Sequence, residues 1–251
     1  MLDQLKKIKR KPENELLYDQ VKGTALFFRA SHYLSLIWTF SKAYNSATAQ
    51  DDLGIVLRSS SDLNEKSYRA SVQQCYDRIL ADLIEAEQLL PVKTLHVMRP
   101  GKRSAHGMLA RAFLSMRRYD EALKYADLFL KQNKSLLDFN NQMQVDLTKQ
   151  YPFMQFNDET NLYLEMSPNG LIGQNVSSVD TLLYSSYHQD DLRKEAFFKN
   201  LSKEYLSFVG SYSAGTTFFA GLATGEMLLT RSECLARNGP VEEAVGDLNV
   251  F

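Results

Sequence analysis

Histidine, cysteine, serine and paired carboxylates are where chemistry would reside. The four histidines, His32, His96, His106 and His188, are scattered. No i, i+4 pair and no H-E-x-x-H is present, so the spacing offers no zinc site. No Gly-Lys-Ser/Thr follows a strand pattern, which excludes a phosphate loop. "SYSAG" (Ser211 to Gly215) approaches a nucleophile elbow, but its first glycine is displaced by one, and Ser213 reads as a turn residue. The pairs Asp51–Asp52 and Asp190–Asp191 lack the alternating Asp/Asn and glycine of a calcium loop. They read as turn and capping residues. Glycoside hydrolysis needs two carboxylates facing one cleft, and the sequence places no such pair. No catalytic residue, metal ligand or cofactor site is expected, and binding remains. Aromatic residues make up 11% of the chain, thirteen of them tyrosine. Flat rings in loops stack on sugar faces, while neighbouring Asn, Asp and Arg bond the hydroxyls. The candidates are Tyr151, Phe153 and Phe156 in "KQYPFMQFND", with Tyr184, Tyr187 and Tyr212. Each has a competing reading as a core or rim residue.

The elements that must position these rings follow from periodicity. At 251 residues, 44% hydrophobic and 24% charged, the chain has ordinary globular composition and room for one large or two small domains. A net charge of −1 gives no electrostatic case for nucleic acid. The one dense basic run, "KKIKRK" (Lys6 to Lys11), reads as a solvated helix end. Cys75 and Cys234 each sit in an amphipathic helical pattern and read as free core thiols. Their spacing alone leaves a disulfide open.

"GTALFFRASHYLSLIWTFSKAYNSATAQDDLGIVL" (Gly23 to Leu57) begins apolar and ends polar. Lys22, Arg29, Ser31, His32 and Ser35 interrupt the run, against a membrane span. Ala25, Phe28, His32 and Leu36 form one stripe, and Leu26, Tyr33, Ile37 and Phe40 another. Residues 20–40 are therefore expected to be a central helix with partners on both sides. "GIVL" reads as a short extended piece. In "SVQQCYDRILADLIEAEQLLP", Ser71 and Gln74 have capping-box spacing, Val72, Cys75, Ile79, Leu83, Ala86 and Leu90 form the apolar stripe, and Pro91 stops the helix. "TLHVMRPGKR" is a loop. "SAHGMLARAFLSMRRYDEALKYADLFLKQN" is a helical hairpin with Ser104 as cap and Arg117–Arg118 at the turn. A related hairpin, "GLATGEMLLTRSECLARNGPVEEAVGDLN", lies near the end; both resemble the tetratricopeptide pattern. Between them, "NLYLEMS" and "YLSFVGSY" read as strands, and "VDTLLYSSYHQDDLRKEAFFKN" as one or two short helices. The expected fold is mainly α: a tetratricopeptide-like helical-hairpin scaffold with an inserted loop-rich region containing short strands and helices. The parts are 1–133 (scaffold), 134–216 (irregular insert) and 217–251 (closing helical pair), within a single domain.

These segments, in this order, resemble the SusD/RagB family. "GTALFFRASHYLSLIWTFSKAYN" looks like "A-x-F-x-R-A-x-x-Y" leading to "F-G-K-P-Y", with Ser41 and Ala43 departing from the usual Gly and Pro. "DDLGIVL" is similar to "D-L-G-V-P-L", with Val56 in place of proline. The Ser71–Pro91 helix and the first hairpin match further motifs, "DDLRKEAFF" fits "D-x-R-x-x-x-F-F", and the last hairpin resembles the closing motif, with Ser232 where alanine is usual. The resemblance implies a non-catalytic, lipid-anchored nutrient-binding protein of the outer-membrane surface. It would bind an oligosaccharide, or in some members a peptide, and deliver it to a SusC-like TonB-dependent transporter. It also implies that Arg29 and His32 are buried or half-buried structural residues. Ligand residues differ between members, so none is carried over. "MLDQLKKIKRK" carries neither the family's signal nor its lipidated cysteine, and the family continues beyond the element that ends here at Asn249. The chain is thus expected to be a fragment or truncated member. The alternative is a helical-repeat adaptor that binds a partner protein.

Overall fold

The computed structural model describes residues 2–58, 60, 62, 64–168, 170–174, 176–201 and 206–250. Two compact units emerge: residues 1–133 with 225–251, and residues 134–224.

The first unit is helical. A short α1 (Leu2–Leu5) precedes α2 (Glu15–Phe40), the longest described helix. The antiparallel pair β1 (Leu53–Val56) and β2 (Arg69–Ser71) follows. Then come α3 (Val72–Leu89), α4 (Lys102–Ser115) and α5 (Tyr119–Leu130). After the second unit the chain returns as α8 (Thr224–Asn238) and α9 (Val241–Leu248). No helix among the described residues is long and apolar enough to cross a membrane.

α3 starts as its sequence dictates. The Gln74 N–H donates to Ser71 Oγ at 3.2 Å, and the Ser71 N–H donates to Gln74 Oε1 at 2.9 Å. That reciprocal box satisfies two otherwise orphaned donors. Its stripe of Val72, Cys75, Ile79, Leu83, Ala86 and Leu90 is buried throughout. Burying each large aliphatic stabilises the fold by roughly 1.5–3 kcal/mol. Gly23 sits where α2 crosses the end of α3, and a Cβ there would lie 3.0 Å from the Leu89 Cβ. The close approach of two helices explains the glycine.

α2 differs from its expectation. Gly23, Leu26, Phe27, Ala30, Leu34 and Ile37 form one buried stripe. Leu36, Trp38 and Phe40 are exposed. His32 is exposed too, its Nδ1 meeting only the Phe28 carbonyl of its own helix. The expectation of a second packed stripe and of a buried His32 is thus corrected. Apolar residues all round a helix do not reveal which face will find a neighbour. Arg29 is half-buried as expected; its Nε and Nη2 donate to Oδ2 and Oδ1 of Asp82 on α3, both at 2.7 Å.

The α4–α5 hairpin buries Ala105, Met108, Leu109, Ala112 and Phe113 against Ala122, Ala126 and Phe129. Alanine at facing positions allows the close approach. Arg117 turns the corner with φ 59°. Ser104 is not the cap: α4 begins at Lys102, and Ser104 Oγ reaches back to accept the Gly101 N–H at 3.2 Å. The buried Arg103 donates to the Phe129 and Asn133 carbonyls at 2.9 and 2.7 Å, satisfying groups left open where α5 ends. Burial pushes its guanidinium down to about 10. In the last hairpin Ser232 Oγ donates to the Ala244 carbonyl at 2.9 Å, so the serine ties α8 to α9. Arg231 pairs with Asp247, and Arg111 of α4 pairs with Glu226 of α8. Cys75 and Cys234 are free, buried thiols.

The second unit contains β3 (Thr160–Leu162), β4 (Glu165–Met166), α6 (Thr181–Ser186), α7 (Leu192–Phe197), β5 (Phe198–Asn200), β6 (Leu206–Phe208), β7 (Phe218–Phe219) and β8 (Leu222–Ala223). The pairs are β3–β8, β4–β7 and β5–β6, all antiparallel. "NLYLEMS" is therefore two short strands broken at Tyr163–Leu164. In "YLSFVGSY" the strand covers Leu206–Phe208, and Tyr205 lies outside the described residues. This unit runs to Thr224 because β8 completes the pairing with β3. Gly221 makes that pairing possible, since a Cβ there would lie 1.8 Å from the Leu162 carbonyl oxygen.

Candidate functional site

The aromatic candidates all lie in the second unit, and ring contacts connect five of the six. Phe156 meets Tyr163 (4.7 Å between centroids), Tyr163 meets Phe219 (5.9 Å), and Phe219 meets Tyr212 (5.4 Å). Tyr212 meets Phe153 (5.2 Å), Phe153 meets Phe197 (5.7 Å), and Phe197 meets Phe198 (6.2 Å). Phe198 carries Tyr184 and Tyr187 at 5.8 and 5.5 Å. Edge-on and tilted geometries predominate, as ring quadrupoles favour.

Burial separates these rings. Phe153 is 1% exposed and its backbone bridges to Val145; with Leu137, Val145 and Ala196 it forms one hydrophobic core cluster of the unit. Its ring faces belong to its neighbours. Tyr212 is held from the other side: its hydroxyl donates to Glu159 Oε2 at 2.8 Å, while Glu159 Oε1 accepts the Leu137 N–H at 2.8 Å. Burial, then the Glu159 charge, push the Tyr212 phenol far above its usual range. Phe156 is exposed, on a left-handed backbone (φ 60°). Tyr151 is half-buried and donates to Gln174 Oε1 at 3.0 Å. Tyr184 and Tyr187 are half-buried on and just after α6. Lys194 Nζ sits 4.7 Å from the Tyr184 centroid, and the Arg193 guanidinium 5.8 Å from that of Tyr187.

A cavity of about 360 Å³ lies beside this core. Phe139, Val145, Leu147 and Leu192 form its apolar part; Asn140, Gln142, Asp146 and Thr148 supply polar ends. Local chemistry shapes the loop that makes it. Asp138 and Asp146 accept N–H groups two residues on, from Asn140 at 2.9 Å and Thr148 at 3.1 Å. Such turns are why Asn, Asp and Thr crowd this stretch. Lys199 of β5 pins the loop, donating to the Leu147 carbonyl at 2.6 Å. Bonding from the Thr148 hydroxyl, with the Thr148 N–H, Gln142 and Lys149 contributing, holds Asp146 below the usual carboxylate range. It therefore accepts hydrogen bonds as an anion at neutral pH. None of these lining residues is among the sequence candidates. The available signal was the density of amide and carboxylate side chains from Asp138 to Thr148.

Ser213, Asp52 and Asp191, whose spacing approaches a nucleophile elbow or paired carboxylates, have structural partners. Ser213 Oγ donates to the Thr217 carbonyl at 2.6 Å in a turn where Ala214 has φ 54°. Asp191 caps α7 and pairs with Arg193; Asp52 pairs with Lys42 and Thr48. Among the described residues no three His, Cys, Asp or Glu side chains are grouped to hold a metal ion.

The architecture defines a class: a tetratricopeptide-like scaffold of helical hairpins carrying an irregular, loop-rich unit. Residues 1–114 match a SusD-like family described as starch-binding and associating with the outer membrane. The fold is similar to that of a SusD superfamily protein from Bacteroides thetaiotaomicron (TM-score 0.75, 19% identity, 99% of this chain and 61% of that one). It is also similar to a SusD-like carbohydrate binding protein from Bacteroides vulgatus (TM-score 0.73, 17% identity, 99% and 57%). Surface glycan-binding protein A from Bacteroides uniformis is a further likeness (TM-score 0.68, 15% identity, 99% and 61%). The SusD/RagB resemblance is borne out, over residues 1–114 by sequence and over the chain by fold. The chain spans about three fifths of the length of these solved structures. No curated protein matches it.

Proposed function

We propose that this chain binds a neutral oligosaccharide without cleaving it, at the outer-membrane surface, and hands it to a partner TonB-dependent transporter. The observation that carries the reading is the cavity at Phe139–Thr148: an apolar floor beside amide, hydroxyl and carboxylate groups, about 360 Å³ in volume. Sugars present apolar C–H faces and a rim of hydroxyls, and such a lining complements both. Charge supports the ligand class. Residues 134–224 carry six Lys and Arg against ten Asp and Glu. That surplus of negative charge opposes acidic glycans and tolerates neutral ones. The half-buried Tyr184 and Tyr187, with Tyr151 and Phe156, are the rings we assign to further sugar contact. The SusD-like match over residues 1–114, in a family described as associating with the outer membrane, supports the location; the transporter partner rests on the SusD/RagB resemblance of the sequence.

Calorimetry against neutral glucans, plant-wall oligosaccharides, sulfated or uronic glycans and peptides tests this reading. Saturable binding of a neutral oligosaccharide is expected, with no new reducing ends released. Asn140→Ala with Gln142→Ala should weaken it about tenfold or more, as lost hydrogen bonds to a ligand do. Binding confined to acidic glycans, or full affinity in that variant, refutes the assignment. The adaptor reading draws on the exposed Val241, Val245 and Leu248 of α9. It takes first place if the folded chain binds no glycan and captures a defined protein partner.

A further inference from the structure

The N-terminal basic run belongs to the helical unit, not to the unit that holds the cavity, and its surroundings suggest a different use. Five of the six residues from Lys6 to Lys11 are cationic. Two are neutralised: Lys6 pairs with Asp3 at 3.0 Å, and Arg10 with Asp19 at 2.8 Å and with Glu15. Lys7, Lys9 and Lys11 are exposed, and no ion pair involves them among the described residues. One acid of this stretch, Glu13, is likewise exposed. Interleaved with these charges are large exposed aliphatics: Ile8 at 53%, Leu16 at 88% and Leu17 at 66%. Their proximity is enforced. Asn14 accepts the Lys11 N–H at 2.8 Å and donates to the Lys9 carbonyl at 3.1 Å. Arg10 meanwhile clamps onto Asp19 of α2. The basic loop is therefore folded against the first turns of α2, which carry Leu16 and Leu17.

We propose that residues 6–17 form a docking surface for an anionic lipid bilayer. Three free ammonium groups suit a layer of phosphates. A soluble polyanion would satisfy the lysines equally well, but would leave three aliphatic side chains in water. A bilayer interface takes both, with the phosphates meeting the lysines and the acyl boundary receiving Ile8, Leu16 and Leu17. The attachment is peripheral, since three lysines and three aliphatics fall far short of a spanning segment. This inference stands apart from the glycan reading.

The test is cosedimentation of the full chain with phosphatidylglycerol–phosphatidylcholine vesicles, against pure phosphatidylcholine. Binding to the mixed vesicles alone is expected, with loss at high salt as screening shortens the reach of the charges. Lys7→Glu with Lys9→Glu and Lys11→Glu should lower partitioning by about two orders of magnitude. Leu16→Ser with Leu17→Ser should lower it about tenfold or more. Both variants alter exposed side chains, and circular dichroism verifies that each is folded. Equal binding to both vesicle types, or unchanged binding by the lysine variant, overturns the proposal. Full vesicle binding by the leucine variant, together with displacement by soluble polyphosphate, also overturns it and makes the patch a general polyanion site.

Discussion

The Arg29–Asp82 pair between α2 and α3 allows a quantitative test of how the scaffold is held. Asp82 is 3% exposed and receives two charged hydrogen bonds from Arg29 at 2.7 Å. Its other cation, Arg78, stands 3.9 Å away on a side chain half in solvent. Arg29→Met would leave the carboxylate buried with only that distant partner. Breaking a buried pair from one side typically costs about 3–5 kcal/mol. Arg29 retains 23% exposure, and Arg78 can move closer, so about 2–3 kcal/mol is expected here. Adding Asp82→Leu removes the orphaned charge and should recover most of that loss, to within about 1 kcal/mol of the parent. The double-mutant cycle then yields a coupling of about 2 kcal/mol. Urea unfolding provides the assay, followed by far-ultraviolet circular dichroism and by fluorescence of Trp38. Trp38 is the only tryptophan and lies on α2 itself, so its signal reports the helical unit. An Arg29→Met loss below about 1 kcal/mol, the size of an ordinary surface pair, refutes the reasoning. So does a double variant whose loss equals the sum of the single losses.

Three further outcomes follow from the geometry. Gly221→Ala should destabilise the β3–β8 pairing by at least about 2 kcal/mol, because its Cβ would collide with the Leu162 carbonyl; limited proteolysis should cut residues 134–224 faster, and an unchanged pattern contradicts the close approach. Cys75 and Cys234 should resist a thiol reagent in the native chain and both react in urea, since burial pushes the Cys75 thiol up and that of Cys234 up to about 11; fast native labelling counts against this packing. Acid should weaken the fold through Asp191 and Glu121, which hydrogen bonds from Arg193 and Arg118 hold below the usual carboxylate range. A depressed folded pKa means their contribution is present above the ordinary carboxylate range and fades as pH falls through the folded value. The urea midpoint should fall in that acid window, and Arg193→Gln with Arg118→Gln should flatten the fall.

What the sequence by itself determined is local. The Ser71–Gln74 box, the α3 stripe, Asp191 as a cap and the hairpin turn at Arg117 all depend on residues within about one helical turn of each other, so spacing suffices to read them. The order of such segments was enough to point to the SusD-like scaffold. Tertiary structure decided the rest. Phe153 and Phe156 stand three residues apart in one aromatic stretch, yet one is core and the other exposed. Their difference is set by Val145, Phe197 and Tyr212, residues distant in the chain. His32 remained outside because α2 found its close neighbour on the stripe of Leu26, Phe27 and Ala30, a choice that an all-round apolar helix does not encode. The cavity likewise depends on Leu192 meeting the loop from Phe139 to Thr148, and β3 waits some sixty residues for β8. Contacts at such separations carry no period in the sequence. They exist only once chain closure has been offset by the apolar surface it buries.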